Sequence, residues 1–437
     1  MSSRSSQELP EHPGAPPLEA GLRAHCRRVA ALALEISGRL RLPPAENHIL
    51  EKAALLHHFP PALLKPGSLD RLLTDMLGSG WREAIGGAGL FPEPADREVS
   101  QVLEALRQPT RGAVETKALL FAQIVELANL FDEQVEFLPY EYRTVEQILD
   151  ELRWMAHDGF CHPAVVTALA SLPRARKEQL LEIVYRLPVF PAVALKTLAL
   201  ASHEEVNFQL LENLVSSDQV LAGNLLKVAN SALFSPVRAI SNIRLALSYI
   251  GLEAARKVLM AAVLQPLFAS GKVKELWKHS LEMAQLAERM ARLSGRVNPE
   301  EAFLCGLVHD VGRLALEKLS GEVPAAYARL LARGCCPVFA ELVLCRFEHG
   351  ELGADILRVW NFPEHLIDSI RHHHQPEQAE SPMASLLYVA EFWSGSEEDL
   401  PSALRLARAL ELTGLSAERL ESLEERSGLL DALIRAA

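Results

Sequence analysis

The sequence contains few aromatic residues and few strand-like segments. Aromatic side chains make up 6% of the 437 residues, whereas hydrophobic residues as a whole make up 49%. This composition favours helices packed through leucine and alanine over a β-sandwich. Segments in which β-branched residues alternate with polar ones are also sparse. We therefore expect an all-α fold, and a chain of this length predicts two or three domains.

The features of a secreted or membrane protein are also lacking. The first twenty residues are polar and proline-rich without the apolar core of a secretory signal, so they predict a disordered tail. No run of about 18 apolar residues occurs, so we expect no membrane-spanning helix. The six cysteines form no C-x-x-C pair, and reduced thiols in a cytoplasmic protein are the simplest interpretation.

Positive charge is in deficit. The formal net charge is −12, and the isoelectric point is near 5.7. Affinity for nucleic acid comes mainly from basic side chains that neutralise phosphates. We therefore expect no direct binding to nucleic acid.

Amphipathic stretches with helical spacing occupy most of the chain after residue 20. Thr144 and Pro163 are typical helix starts. The short basic stretch LPRARKEQ, residues 172–179, indicates a domain boundary. We predict a tail at 1–20, a helical domain at 21–172, a linker at 173–179, a second helical domain at 180–376 and a C-terminal helical extension at 377–437.

One apolar, helix-forming stretch contains an unexpected polar pair. In CGLVHDVGRLALE, residues 305–317, His309 and Asp310 stand side by side. They are open to interpretation as metal ligands, as a buried hydrogen-bonded pair or as a remnant of lost chemistry. Gly306 and Gly312 flank them and leave room for close approach of a backbone or a ligand.

Histidines concentrate around this pair, since seven of the 15 fall between residues 271 and 380. Imidazole and carboxylate together suit Fe, Mn, Zn or Co, and facing helices can bring them together. Glu275 and His279 are four residues apart and share one helix face. Alternatively, His279 alone is a hydrogen-bonded core residue, and the run RHHHQP is an exposed helix end.

Residues 180–376 resemble the HDOD family, the HD-related output domain of bacterial signalling proteins, which is similar to HD-type metal-dependent phosphohydrolases. The matching motifs are LPVFPAVALKTL, SSDQVLAGNLLKVANSALF, LWKHSLEMAQLAERMA, AFLCGLVHDVGRLALEKL, EHGELGADILRVWNFPEHLIDSI and HHHQP. The resemblance implies metal-ligand positions at His279, His309, Asp310, His349, His373, His374 and Glu391, with Glu275 as an extra acidic ligand of some HD-GYP enzymes.

Two departures from the HD-GYP phosphodiesterases accompany the resemblance. Those enzymes follow the double histidine with a glycine-rich DGxGYP loop, whereas this chain has QPEQAESP. The lysine that commonly follows the His-Asp pair is Arg313 here, which keeps the charge but changes the hydrogen-bond geometry. The loop that helps those enzymes to hold a cyclic dinucleotide is therefore missing, while a cyclic dinucleotide or another phosphoester stays open as the ligand.

The amino-terminal half resembles, more faintly, a degenerate HD-GYP-like domain, which makes two HD-superfamily-like domains in tandem. His25 keeps the first ligand position, but His58 replaces the aspartate of the pair and Asn129 replaces the closing aspartate. Because missing carboxylates weaken metal binding, we predict a non-catalytic partner in which His25, His57 and His58 are polar or packing residues, with weak adventitious metal binding as the minor alternative. Deletion of residues 1–172 should then leave any hydrolysis intact.

Three functions follow, in order of preference. The first is a non-catalytic signalling module that binds other signalling proteins. Association of two copies into a homodimer is one alternative for its oligomeric state. The second is a metal-dependent phosphohydrolase that acts on a cyclic dinucleotide or another phosphoester, with Arg313 or Arg371 neutralising phosphate. The third is a metal-binding sensor without turnover.

Overall fold

The structure is a computed structural model that describes residues 18–58, 93–107, 116–141, 144–159, 161–175, 177–187, 208–268, 274–394 and 403–423. All regular secondary structure in these ranges is helical, which confirms the predicted all-α class. Residues 1–17 of the predicted tail lie outside the described residues, and the first helix begins at Leu18.

Most of the described chain lies in α-helices. In chain order they are α1 (Leu18–Arg39), α2 (Asn47–Leu56), α3 (Glu93–Ala105), α4 (Lys117–Glu141), α5 (Val145–His157), α6 (Pro163–Ala170), α7 (Lys177–Arg186), α8 (Phe208–Ser216), α9 (Gln219–Ala229), α10 (Ile243–Ile250), α11 (Leu252–Leu264), α12 (Lys274–Ser294), α13 (Pro299–Val308), α14 (Arg313–Leu316), α15 (Val323–Ala332), α16 (Pro337–Cys345), α17 (His349–Val359), α18 (Glu364–Arg371), α19 (Pro382–Ser394), α20 (Ala403–Thr413) and α21 (Ala417–Glu421). Short 3-10 turns occupy Pro44–Glu46, Gln265–Phe268 and Pro376–Gln378.

The chain divides into two compact units. Unit 1 contains the described residues up to Ala175 together with Ser320–Arg346. Unit 2 contains the described residues of Arg176–Leu319, Phe347–Glu397 and Pro401–Ala437. Helices α15 and α16 thus belong to unit 1, although they lie in the middle of the predicted second domain, and the sequence did not indicate this.

Unit 1 is built around α1, in which Val29, Leu32 and Ile36 are completely buried. Thr144 starts α5 with a capping box in which its hydroxyl accepts from Gln147 N, and Pro163 occupies the first turn of α6, so both predicted helix starts are confirmed. Glu35 of α1 is buried and accepts hydrogen bonds from Arg329 and Arg333. These bonds tie residues 320–346 to α1.

Unit 2 centres on α12 and α13, whose backbones approach closely at Gly306. A Cβ atom at this position would lie 2.7 Å from Ala284 Cα, so only glycine allows the contact. Elsewhere in the unit, the Asn230 side chain donates to Leu226 O and Ile240 O and accepts from Ile240 N. Asn230 therefore ends α9 and fixes the loop that follows it.

The described residues bear on two further expectations. None of the helices there is long and apolar enough to cross a membrane. All six cysteines are free, as the absence of paired spacings predicted.

Candidate metal centre

The stretch around the His-Asp pair is not the continuous helix that the sequence predicted. Helix α13 ends at Val308, His309 caps it, and a turn precedes α14. A Cβ atom on Gly312 would lie 2.0 Å from the carbonyl oxygen of His349, so the turn is pressed against the start of α17. This contact brings His309, Asp310 and His349 together.

Six histidine and carboxylate side chains of unit 2 form two groups of three. The first ligand group is His279 of α12, His309 at the end of α13 and Glu391 of α19. In the second ligand group are His349 at the start of α17 with His373 and His374, which follow α18. Within each group, one potential ligand atom per residue lies within 4.8 Å of the others.

Short distances link the first ligand group. Nε2 of His279 lies 3.2 Å from Nε2 of His309 and 3.1 Å from Oε1 of Glu391. The same carboxylate oxygen is 2.7 Å from Nε2 of His309. Two nitrogens and one oxygen therefore converge on one point, as in a transition-metal site.

Asp310 connects the two groups. Its Oδ2 lies 3.4 Å from Nε2 of His309 and 3.8 Å from Nε2 of His279. Its Oδ1 lies 2.8 Å from Nε2 of His349, which is itself 3.0 Å from Nε2 of His374. One carboxylate thus offers an oxygen to each group.

Backbone hydrogen bonds determine which imidazole nitrogen is free to bind. Nδ1 of His309 donates to Gly306 O at 2.8 Å, and Nδ1 of His373 donates to Ile370 O at 2.7 Å. In the neutral ring the lone pair then lies on Nε2, the atom that points to the other ligands. Nε2 of His373 is buried without a hydrogen-bond partner among the described residues. A metal ion would satisfy this atom, so the donor set fits one.

Burial keeps His373 and His374 of the second ligand group neutral. It lowers the pKa of His373 to about 3, and the neighbouring His349 and His309 lower it further. Burial likewise holds the pKa of His374 well below its usual value. Neutral imidazole is the form that binds a metal ion.

The carboxylates are held in the charged form. Burial alone would raise their pKa values, but the basic neighbours outweigh it. Arg313, whose Nη1 is 3.1 Å from Asp310 Oδ2, acts with His309 and His349 to hold the pKa of Asp310 well below its usual value. His279 and His309 lower the pKa of Glu391 in the same way.

Exposure differs between the two ends of the centre. His309, Asp310, His349 and His373 are completely buried. The side chain of His279 is 20% exposed and that of Glu391 is 9% exposed. Any small ligand would therefore approach from the first ligand group.

Two residues considered from the sequence lie apart from the ligand groups. Glu275 is exposed, and among the described residues neither ligand group includes it. Arg371 pairs with Asp355 at 3.4 Å instead of facing the carboxylates of the centre. After the double histidine, residues 376–378 form a 3-10 turn with Pro376 buried, where HD-GYP enzymes have their glycine-rich loop.

Unit 1 contains a third group of histidines, His25, His57 and His58, whose potential ligand atoms also lie within 4.8 Å of one another. Burial lowers the pKa of His57 to about 4. Nδ1 of His25 is 2.7 Å from Oδ2 of the buried Asp132, which Arg28 holds with two hydrogen bonds. The sequence did not reveal the roles of Asp132 and Arg28, because Asp132 is more than 100 residues from both His25 and Arg28 and no motif includes either residue.

The family profile described as HDOD domain matches residues 187–376. This part of the chain is an HDOD domain. It contains every ligand of the two groups except Glu391, which follows the matched region. The HDOD domain prediction is confirmed, while the degenerate HD-GYP-like character of residues 21–172 stays a prediction.

Relatives of the chain match it over less than half of its length. An uncharacterised protein of Treponema pallidum is 26% identical over 212 residues, which cover 47% of this chain and 41% of that protein. Ribonuclease Y of Thermus thermophilus is 28% identical over 160 residues, 36% of this chain and 23% of the enzyme. The cyclic di-GMP phosphodiesterase CdgJ of Vibrio cholerae is 29% identical over 151 residues, 33% of this chain and 35% of the enzyme. The chain thus spans well under half the length of each relative.

Proposed function

We propose that the HDOD domain, together with Glu391, is a metal-dependent phosphohydrolase with two divalent cations, working in signal transduction. The observation that carries the proposal is the position of Asp310, which offers Oδ2 to one group of ligands and Oδ1 to the other. Paired cations about 3.5–4 Å apart that share ligands are typical of enzymes that hydrolyse phosphoesters.

The chain's own residues would divide the work. The first ligand group and Oδ2 of Asp310 would hold one cation, and the second ligand group and Oδ1 would hold the other. Bound divalent cations lower the pKa of a water molecule and stabilise negative charge on phosphate oxygens. Arg313 keeps Asp310 charged and oriented. The exposed edge at His279 and Glu391 would admit the phosphoester.

A small phosphodiester is the substrate class that we favour. CdgJ is a cyclic di-GMP phosphodiesterase by name and Ribonuclease Y is a ribonuclease, so both relatives are named for reactions at phosphodiesters. Because the net charge is −12, a long nucleic acid is a less favourable substrate than a small cyclic dinucleotide. In hydrolysis, the water oxygen would bond to phosphorus, one ester P–O bond would break, and the leaving oxygen would take up a proton.

A second candidate is the non-catalytic signalling module that binds partner proteins. It is favoured by residues 376–378 after the double histidine, which form a 3-10 turn in place of the HD-GYP substrate loop. In that case bound metal would stabilise the fold or report metal availability, because closed sites are typical of structural ions.

Metal analysis paired with turnover tests the proposal. Untagged full-length protein is purified without added metal, and its Fe, Mn, Zn and Co contents are measured. The same sample is assayed on cyclic dinucleotides and generic phosphodiesters, before and after chelation and after metal is restored. Hydrolysis that chelation abolishes and one metal restores supports the enzyme. Bound metal without turnover on any substrate favours the sensor, and neither metal nor turnover favours the protein-binding module.

A further inference from the structure

Three histidines of unit 1, His25, His57 and His58, place ring nitrogen atoms close to one another. Nδ1 of His25 faces the carboxylate of Asp132 at 2.7 Å, and Nδ1 of His57 faces Ala54 O at 2.6 Å. Both partners are acceptors, so in the neutral form of each ring the proton lies on Nδ1. The two Nε2 atoms, which are 3.3 Å apart, therefore both present lone pairs.

A third acceptor faces the same point. Oδ1 of Asn129 lies 2.9 Å from Nε2 of His57. The orientation of this amide is set by its Nδ2 atom, which donates to Oε1 of Glu133 at 3.0 Å. Acceptor atoms at these separations repel one another unless a cation lies between them.

Asp132 supplies the supporting contact that metal-binding histidines usually have. It is completely buried, and Arg28 holds both of its oxygens at 2.6 and 2.9 Å. A carboxylate that accepts from Nδ1 fixes the ring orientation and increases the basicity of Nε2, as in carboxylate–histidine–zinc arrangements. In this way Asp132 would act on a bound ion through His25.

The backbone contact of His57 matches the one in the HDOD domain. Nδ1 of His57 donates to the carbonyl three residues earlier, Ala54 O. Nδ1 of His309 likewise donates to the carbonyl three residues earlier, Gly306 O. The ring of His57 is thus oriented in the same way as the ring of His309, with Nε2 turned away from the backbone and towards the potential ligands.

We propose that unit 1 holds one divalent transition-metal ion through Nε2 of His25, Nε2 of His57 and a ring nitrogen of His58. Three imidazoles and an amide oxygen suit Zn²⁺, Cu²⁺, Ni²⁺ or Fe²⁺ better than Mg²⁺ or Ca²⁺. The ion joins α1 to the end of α2, so its role in unit 1 is structural. This site is separate from the two cations proposed for the HDOD domain and does not depend on them.

Zn²⁺ content tests the proposal by comparison of variants. Untagged full-length wild-type protein and the H57Q variant are loaded with Zn²⁺, passed through a desalting column and analysed for zinc. His157, an exposed histidine of the same unit, provides the matched control H157Q. The wild type and H157Q are expected to retain one equivalent more than H57Q. Equal zinc in all three proteins overturns the proposal, whatever the phosphodiesterase activity.

Histidine acylation of the wild type keeps the test independent of variant folding. Diethylpyrocarbonate modifies accessible, unligated imidazoles, and peptide mass spectrometry assigns each modified residue. Stoichiometric Zn²⁺ is expected to suppress acylation of the exposed His58, because a ring nitrogen that binds the ion no longer offers its lone pair to the reagent. His48, which is also exposed, serves as the internal control and should be unaffected. If His58 reacts at the same rate with Zn²⁺, or is protected only by a large excess of it, no specific site exists.

Discussion

Oδ1 of Asp310 lies 2.8 Å from Nε2 of His349, while Oδ2 of the same carboxylate faces the histidines of the first ligand group. This one side chain is therefore the point at which two sets of ligands from separate helices become a single centre. The geometry follows from the turn after α13, because an uninterrupted helix would have carried Asp310 away from α17.

The D310N variant tests this shared role. An amide keeps the size of the side chain but removes the negative charge that offsets two cations. We expect the metal content of the HDOD domain to fall and phosphodiester hydrolysis to drop at least about 100-fold, because loss of an outer-shell partner already costs about 10–100-fold and Asp310 would bind both cations directly. Metal analysis and turnover on the same sample measure both. Wild-type metal content in D310N would contradict the bridging position.

Glu275 allows a contrasting test. The sequence proposed it as an extra ligand, but its side chain is exposed and belongs to neither ligand group. We therefore expect E275Q to keep both the metal content and the activity of the wild type, whereas E391Q should lose at least one cation. A loss of metal in E275Q equal to that in E391Q would restore Glu275 as a ligand.

How far the centre could be foreseen from the sequence depends on the type of contact. His279, His309, Asp310, His349 and Glu391 were assigned by motif, and the structure brings them together because those motifs lie on helices that pack directly. The turn at His309 was not foreseen, since apolar residues at helical spacing continue on both sides of it. What breaks the helix is a tertiary contact with α17, which no local pattern reveals.

Gly312 makes that contact testable. A methyl group there would lie 2.0 Å from His349 O and 2.7 Å from Gly353 N, both backbone atoms that cannot move aside. We expect G312A to lower the free energy of unfolding by at least about 2 kcal/mol. At Gly223, inside α9, nothing lies within 4 Å of the added atom, so G223A should raise it by about 0.5–1 kcal/mol. Chemical denaturation compares the two, and equal effects would contradict the close approach.

Acid should destabilise the metal-free protein through its buried histidines. The pKa of His373 is about 3 in the folded chain and about 6.5 when unfolded. Below pH 6.5 the unfolded state therefore binds a proton that the folded state does not, so stability falls as pH falls and the loss continues down to about pH 3. For one such group the slope grows from about half of 1.4 kcal/mol per pH unit at pH 6.5 to about 1.4 kcal/mol per pH unit at pH 4.5.

The H373N variant isolates this contribution. It removes the titrating ring, so its unfolding free energy should decline less steeply between pH 6.5 and 4.5 than that of the wild type. Denaturation of chelator-treated protein at several pH values measures the slope, which is independent of any constant loss of stability in the variant. Parallel slopes would show that His373 takes up protons equally in both states.

In unit 1 the sequence revealed less, for a physical reason. The positions of His25 and Asn129 were identified by resemblance, and the missing carboxylates predicted weak metal binding. Asp132 lies one turn beyond Asn129 on α4, a place where no ligand was expected. Its importance comes from contacts with Arg28 and His25 across more than 100 residues, and such a network becomes visible only when the helices are assembled.

Residues 320–346 belong to unit 1 although they lie inside the stretch matched as an HDOD domain. The polypeptide consequently changes unit near residues 175, 319 and 346, and a single cleavage cannot release both halves whole. A fragment lacking residues 1–172 would retain α15 and α16 without Glu35 and the rest of α1, so its failure to hydrolyse would say nothing about chemistry in unit 1. Any gene rearrangement that exchanged one half for another would have had to carry this inserted helical pair with it.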